Sequence, residues 1–311
     1  DYIEPDVIAS KDGHLIVRHE NEMGHTTDIA DRPEFAKLKT TKTVDGIELT
    51  GWFSEDLTLA ELKRLRTRER IPKLRPHNNR LAGVEQILTF DEVLEIQVAE
   101  NARRPPDGPQ LGVYVETKHP SYFSKLGFDL NAMLLDSLNR FEMNREASHV
   151  VIQSMETENL REIRGETPLP LVQLLSWAGA PQDFLASGDS RTYRDLATPA
   201  GLDFIAGYAQ AVGAHKQHVI GRDKKQRWTG ETSFVADAHA RGLEVHVWTL
   251  RSENNFLPRN LRRGRKKSRH GRALAEHLAY LAAGVDGLFT DVTSTAVQAR
   301  GQWLAHQEAA K

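Results

Sequence analysis

The sequence has 311 residues, 39% hydrophobic and 27% charged, which is enough apolar material for one large domain or two ordinary ones. A net charge of −2 gives no overall pull toward nucleic acid or anionic membrane, and the absence of cysteine excludes disulfides and thiolate metal sites. No apolar run approaches the roughly 18 residues of a membrane-spanning helix.

In chain order, the first segment is already strand-like, residues 2–8, with no initiator Met and no leader before it. The expectation is therefore that the sequence begins inside a longer protein, in whose unseen part any signal peptide would lie. Further strands are predicted at 15–19, 111–118, 149–154, 169–176, weakly near 204–206, then at 243–250 and 285–290. Helical spacing of apolar residues predicts helices at 58–66, 130–141, 157–163, 232–241, 272–283 and 294–309. A further helix at 89–102 carries Thr89 with Glu92 three residues on, the spacing of a capping box.

Strand and helix alternating over the whole length imply an α/β fold, either a TIM (β/α)8 barrel or a doubly wound sheet. No Gly-rich phosphate fingerprint follows a strand, which weighs against the nucleotide-binding sheet. With 15–19 taken as a hairpin extension, about seven barrel strands remain. The missing first strand is expected before Asp1. Residues 24–88 are polar and irregular and are read as an insertion on a βα loop within one barrel domain spanning 1–311. A basic run, 262–269, interrupts the later part; without interleaved aromatics it does not suggest nucleic-acid binding.

Several strand-end residues carry possible chemistry. Side chains two apart on a strand share a side, with Cα atoms roughly 6.5–7 Å apart, so Glu4 and Asp6 face together while Ile3 and Val7 turn away. Two carboxylates that close repel unless a cation separates them, and an oxygen-preferring divalent ion such as Ca²⁺ or Mg²⁺ suits them. A solvated strand end is the other reading. The same alternation places Glu116 beside Lys118, where Glu116 would complete the carboxylate set and Lys118 would hold a phosphate oxygen, unless the two form a structural ion pair. His19 ends its strand as a candidate general acid or base, or as a surface histidine. Gln153 is a substrate contact or a capping amide, and Trp248 a pocket wall or a core aromatic. Lys216 and Arg251 are phosphate-binding candidates or solvated charges.

Taken together these residues resemble one family. Ile3-Glu4-Pro5-Asp6-Val7, Lys11-Asp12-Gly13 with the strand-end His19, and Thr26-Thr27-Asp28-Ile29-Ala30 resemble the opening of the glycerophosphodiester phosphodiesterases. Val115-Glu116-Thr117-Lys118 is similar to the family's Glu-x-Lys strand. Leu171–Leu175, Val245-His246-Val247-Trp248-Thr249-Leu250-Arg251 and Gly287-Leu288-Phe289-Thr290-Asp291 resemble later strands of its bacterial periplasmic branch.

The resemblance implies a TIM barrel holding Ca²⁺ or Mg²⁺ on Glu4, Asp6 and Glu116. It implies His19 as a catalytic histidine and Lys118 as the phosphate lysine, while Gln153, Trp248 and Arg251 stay substrate- or phosphate-binding candidates on their positions alone. The implied reaction converts glycerophosphocholine or glycerophosphoethanolamine to sn-glycerol 3-phosphate and an alcohol, in the periplasm or outside the cell. The family's other catalytic histidine belongs to a His-Arg pair on the first strand, and no such pair stands in that context here. A chain truly starting at Asp1 would on that ground turn over little and only bind ligand. A phospholipase D-like or lysophospholipid-cleaving barrel is the alternative on the same scaffold, although its toxin members usually carry disulfides that this chain cannot form. A sugar isomerase would need further ligands on later strands, and they are not found.

Overall fold

The computed structural model describes residues 1–105 and 107–309, which fall into two compact units divided between Leu171 and Val172. No helix among the described residues is long and apolar enough to cross a membrane.

In the first unit β1 (Tyr2–Ile3) and β2 (Asp6–Ala9) are one strand interrupted at Pro5. Proline has no N–H to give the ladder, but the Pro5 carbonyl still accepts from the Glu116 N–H at 3.0 Å, so the line of the strand continues. The expected strand over 2–8 is thus two shorter pieces. A turn with Gly13 at φ +78° returns the chain into β3 (Leu15–Val17), antiparallel to β2.

The region 24–88 contains a hairpin that the sequence reading did not resolve, β4 (Thr40–Val44) and β5 (Ile47–Gly51). Its two-residue turn is Asp45-Gly46, both at positive φ, the chemistry that a tight hairpin prefers. The helix expected over 58–66 shrinks to α1 (Leu59–Leu62), closed at its start by a Thr58–Glu61 capping box. This segment is fastened by buried Glu55, which accepts from Asn21, Lys42 and the Tyr122 hydroxyl.

Helix α2 (Phe90–Asn101) starts at the predicted Thr89–Glu92 capping box. It leads into β6 (Gly112–Thr117), whose six residues are all buried. After α3 (Pro120–Lys125) and α4 (Leu130–Arg140) comes β7 (Val150–Ser154), also wholly buried, followed by α5 (Glu158–Ile163). β1 and β2 pair in parallel with one side of β6, and β7 with the other. The registers set Asp6 opposite Glu116 and Glu116 opposite Gln153, so three polar residues lie at one level of three parallel strands.

The second unit runs through β8 (Leu171–Leu175), α6 (Gln182–Ser187), α7 (Tyr193–Leu196), α8 (Pro199–Ala206) and β9 (Ala211–His215). A short hairpin, β10 (Ile220–Arg222) and β11 (Trp228–Glu231), precedes α9 (Phe234–His239), β12 (Glu244–Leu250), α10 (Ala273–Ala282), β13 (Gly287–Thr290) and α11 (Thr293–Ala309). β8, β9, β12 and β13 pair in parallel in that order.

The weak strand expected near 204–206 is wrong. Those residues are the last turn of α8, which Pro199 at its first position and the Thr198 side chain accepting from Gly201 N–H make a well-formed helix start. The strand is β9, whose Ala-Val-Gly-Ala run has Val212 as its one β-branched residue. At Gly213 there is little room: a Cβ there would lie 2.4 Å from Leu174 Cδ2, and that side chain would have to move. The basic run 262–269 lies in an exposed loop pinned by Asn254, whose side chain bonds the backbone of Arg263 and Lys266.

Candidate active site

The first unit gathers Glu4, Asp6 and Glu116 so that one carboxylate oxygen of each lies within 4.8 Å of the others. Lys118 enters the same cluster: its Nζ donates to Glu116 Oε1 at 2.9 Å, stands 3.9 Å from Asp6 Oδ1, and is 3.4 Å from His19 Nε2. Gln153, 1% exposed, donates through Nε2 to Glu4 Oε1 at 2.7 Å and fixes that carboxylate's direction. Six of the nine residues singled out from the sequence therefore converge.

Trp248 and Arg251 lie in and just after β12, in the second unit. There Trp248 Nε1 donates to the Gly213 carbonyl at 2.6 Å, and Arg251 Nε donates to Asp291 Oδ2 at 2.7 Å.

Beside the acid cluster is a cleft of about 280 Å³ lined by Glu4, Asp6, Arg18, His19, Glu20 and Arg70, among others. Three of these were not foreseen. Arg18 and Glu20 flank His19 and were within reach of the same alternation argument; Arg70 comes from the irregular segment 24–88 and had no local signal. Glu20 accepts from His19 Nδ1 and from Arg70, both at 2.9 Å. With Nδ1 turned to a carboxylate, the proton sits there and the Nε2 lone pair faces Lys118. The hydrogen bond from His19 first, and then the charge of Arg70, hold the Glu20 carboxyl down to about 2.

The electrostatics of the cluster are one-sided. Burial first, and the Glu116 charge second, push Asp6 up to about 7. Glu4 is raised as well, by removal from water and then by the charges of Asp6 and Glu116, although it sits at the open edge of the cleft, where solvent softens the effect. Burial opposes the Lys118 ammonium, but Glu116, Asp6 and Glu4 outweigh it and hold its pKa above the ordinary value. One lysine does not balance three carboxylates, and the buried Asp6 Oδ1 has no hydrogen-bond partner. Oxygen donors, converging geometry and uncompensated negative charge fit a hard divalent cation.

A strand-end acid cluster with a lysine and a histidine, carried on parallel β–α units, defines a phosphoester-cleaving α/β enzyme. The model of the glycerophosphoryl diester phosphodiesterase family matches residues 1–295, and the chain belongs to that family. It is 31% identical over 309 residues to glycerophosphodiester phosphodiesterase GDPD6 of Arabidopsis thaliana, covering 95% of this chain and 77% of the relative. To the Treponema pallidum glycerophosphodiester phosphodiesterase it is 28% identical, over 81% of this chain and 73% of that one. Among solved structures, an Oleispira antarctica phosphodiesterase in complex with the product sn-glycerol-3-phosphate matches with a TM-score of 0.59 at 16% identity, over 97% of this chain and 85% of that one. The fold is the family's TIM barrel, and the activity is that of a phosphoric diester hydrolase acting on glycerophosphodiesters.

Proposed function

We propose that this chain cleaves glycerophosphodiesters such as glycerophosphocholine and glycerophosphoethanolamine to sn-glycerol 3-phosphate and an alcohol, and that it depends on Ca²⁺ or Mg²⁺ held by Glu4, Asp6 and Glu116. The observation that carries the reading is the converging trio of carboxylates with its unsatisfied Asp6 oxygen. When bound, a divalent cation polarises the phosphate and offsets its developing charge.

The chain's own residues divide the remaining work. Lys118 is a buried point charge that can hold a non-bridging phosphate oxygen while it orders Glu116. His19, with Nδ1 fixed by Glu20, presents Nε2 as the atom that takes or gives the proton. Gln153 keeps Glu4 aimed at its partners. With Glu4 and Asp6 deprotonated, as cation binding requires, Glu4, Asp6, Glu20 and Glu116 around the cleft exceed Arg18, Arg70 and Lys118 by one charge. A divalent ion reverses that sign and makes the site complementary to a monoanionic diester.

The test is release of glycerol 3-phosphate from glycerophosphocholine by the chelator-stripped protein, with and without added Ca²⁺ or Mg²⁺, beside E116Q. Turnover should require the ion, and E116Q should lower kcat/KM by roughly 10²–10³-fold, the usual cost of losing one transition-state electrostatic element. Equal turnover with and without ion would refute the metal dependence. Absence of glycerol 3-phosphate among the products would refute the substrate class.

A further inference from the structure

Arg18 follows β3 directly, and its backbone N–H donates to the Asp6 carbonyl at 2.9 Å, so its Cα is fixed beside a member of the acid cluster. Its side chain lines the cleft together with Glu4, Asp6 and His19. A guanidinium has five N–H donors. Here the hydrogen bond made is a long one, from Nη2 to the Thr26 carbonyl at 3.4 Å, and the buried Nε has no partner. Other arginines of the same unit behave differently. Arg32 holds Asp28 at 2.7 Å, Arg70 holds Glu20 at 2.9 Å, and Arg140 holds Asp91 at 2.7 Å. Arg18 lies in the field of Glu20 and Asp6 but bonds neither, and burial pulls its pKa below the ordinary value.

A partly buried guanidinium whose donors go unused is costly, and the cost is removed when an anion arrives. Its flat fork fits two oxygens of one phosphate, which the rounded ammonium of Lys118 cannot do. The neighbouring carboxylates are turned toward each other and toward Lys118, leaving the fork open to the cleft.

We propose that Arg18 is a phosphate-recognition residue of this site, grasping the non-bridging oxygens of the diester and the phosphate of the glycerol 3-phosphate product. This rests on the function proposed above and adds to it a residue that sets phosphate affinity apart from ion binding.

The experiment compares wild type, R18Q and R18K by calorimetry with sn-glycerol 3-phosphate and with inorganic phosphate, by Ca²⁺ titration, and by kcat and KM on glycerophosphocholine. R18Q should weaken both phosphate ligands by about 10- to 100-fold, the usual effect of removing charge-assisted bonds. It should raise KM more than it lowers kcat, and should not weaken Ca²⁺ binding, since removing a cation from beside the acid cluster takes away repulsion against the ion. R18K should recover only part of the phosphate affinity, because the charge returns without the fork. Unchanged phosphate affinity in R18Q overturns the proposal, as does a parallel loss of phosphate and Ca²⁺ binding, which marks a structural role. If R18Q does not fold, R18K decides: affinity equal to wild type overturns the proposal, and a clear loss at unchanged Ca²⁺ affinity supports it. The two readings fail separately. A wild type that hydrolyses the substrate beside an R18Q that binds product normally defeats the role of Arg18 alone. A wild type that binds phosphate through Arg18 without hydrolysing the diester defeats the proposed function alone.

Discussion

Two buried charge clusters, one in each unit, are built on opposite principles. In the first, Glu4, Asp6 and Glu116 crowd together with Lys118 as the single cation of the group. In the second, Lys216 and Arg222 both reach the same oxygen of Glu276, at 3.1 and 3.2 Å, and Lys216 also bonds the Phe256 carbonyl at 3.0 Å. The Glu276 side chain is 0% exposed there. Burial opposes the charges, raising the Glu276 carboxyl and lowering Lys216, but each is held by an opposite neighbour. Lys216 was a phosphate candidate from sequence; its ammonium is instead engaged with Glu276 and a backbone carbonyl. Three carboxylates against one ammonium leave an excess of like charge that a further cation would balance. Unlike charges interlocked mark the place where the fold holds itself.

That contrast predicts opposite responses to removing one acid. Glu276→Ala leaves Lys216 and Arg222 buried with no carboxylate between them, and should cost about 3 kcal/mol or more of folding stability. Asp6→Asn relieves repulsion within the acid trio, so the ion-free protein should unfold no earlier than wild type while losing its response to Ca²⁺. Urea unfolding of both variants in EDTA measures the difference. Equal losses would erase the distinction between the clusters.

A pH series sharpens the same comparison. Asp6, its side chain 15% exposed, is raised to about 7 in the folded chain. The folded state then holds a proton that the unfolded chain releases near its ordinary value of about 4. Stability from this group is fully present below about pH 4 and is lost as pH rises toward 7. Glu4 acts in the same direction, weakened by its exposure. In EDTA the melting temperature should therefore drift down between pH 5 and 8, each lost kcal/mol being worth roughly 2–4 °C. Saturating Ca²⁺ competes with the protons and should flatten or reverse the drift. Parallel curves with and without Ca²⁺ would mean that the trio does not bind the ion.

The first cluster was largely legible in the sequence, and the second was not. Glu4 with Asp6 and Glu116 with Lys118 each lie two apart on a strand, so alternation alone aimed them together. Their meeting followed from neighbouring parallel strands, with Asp6 in register with Glu116. Lys216 and Glu276 are 60 residues apart, and no local pattern joins them. Arg70 reaches Glu20 from the irregular segment 24–88 in the same unannounced way. β9 escaped notice for a different reason: there is little room at Gly213, and small residues carry no strand signal.

The smallest expected effect belongs to a third kind of charged residue, one that burial does not amplify. Glu92 caps α2: its carboxylate accepts from the Thr89 N–H at 2.7 Å while Thr89 Oγ1 accepts from the Glu92 N–H at 3.1 Å, and Lys63 approaches from outside. The Glu92 side chain is 39% exposed, so solvent screens the ion pair and leaves the cap itself as the main contribution. Thr89→Ala should cost about 1 kcal/mol and leave glycerophosphocholine turnover unchanged. Thr89→Ser should recover most of the loss, since its hydroxyl caps in the same way. If Thr89→Ala costs as much as Glu276→Ala, then burial is not what ranks the charged groups of this protein, and the contrast between the two clusters needs another cause.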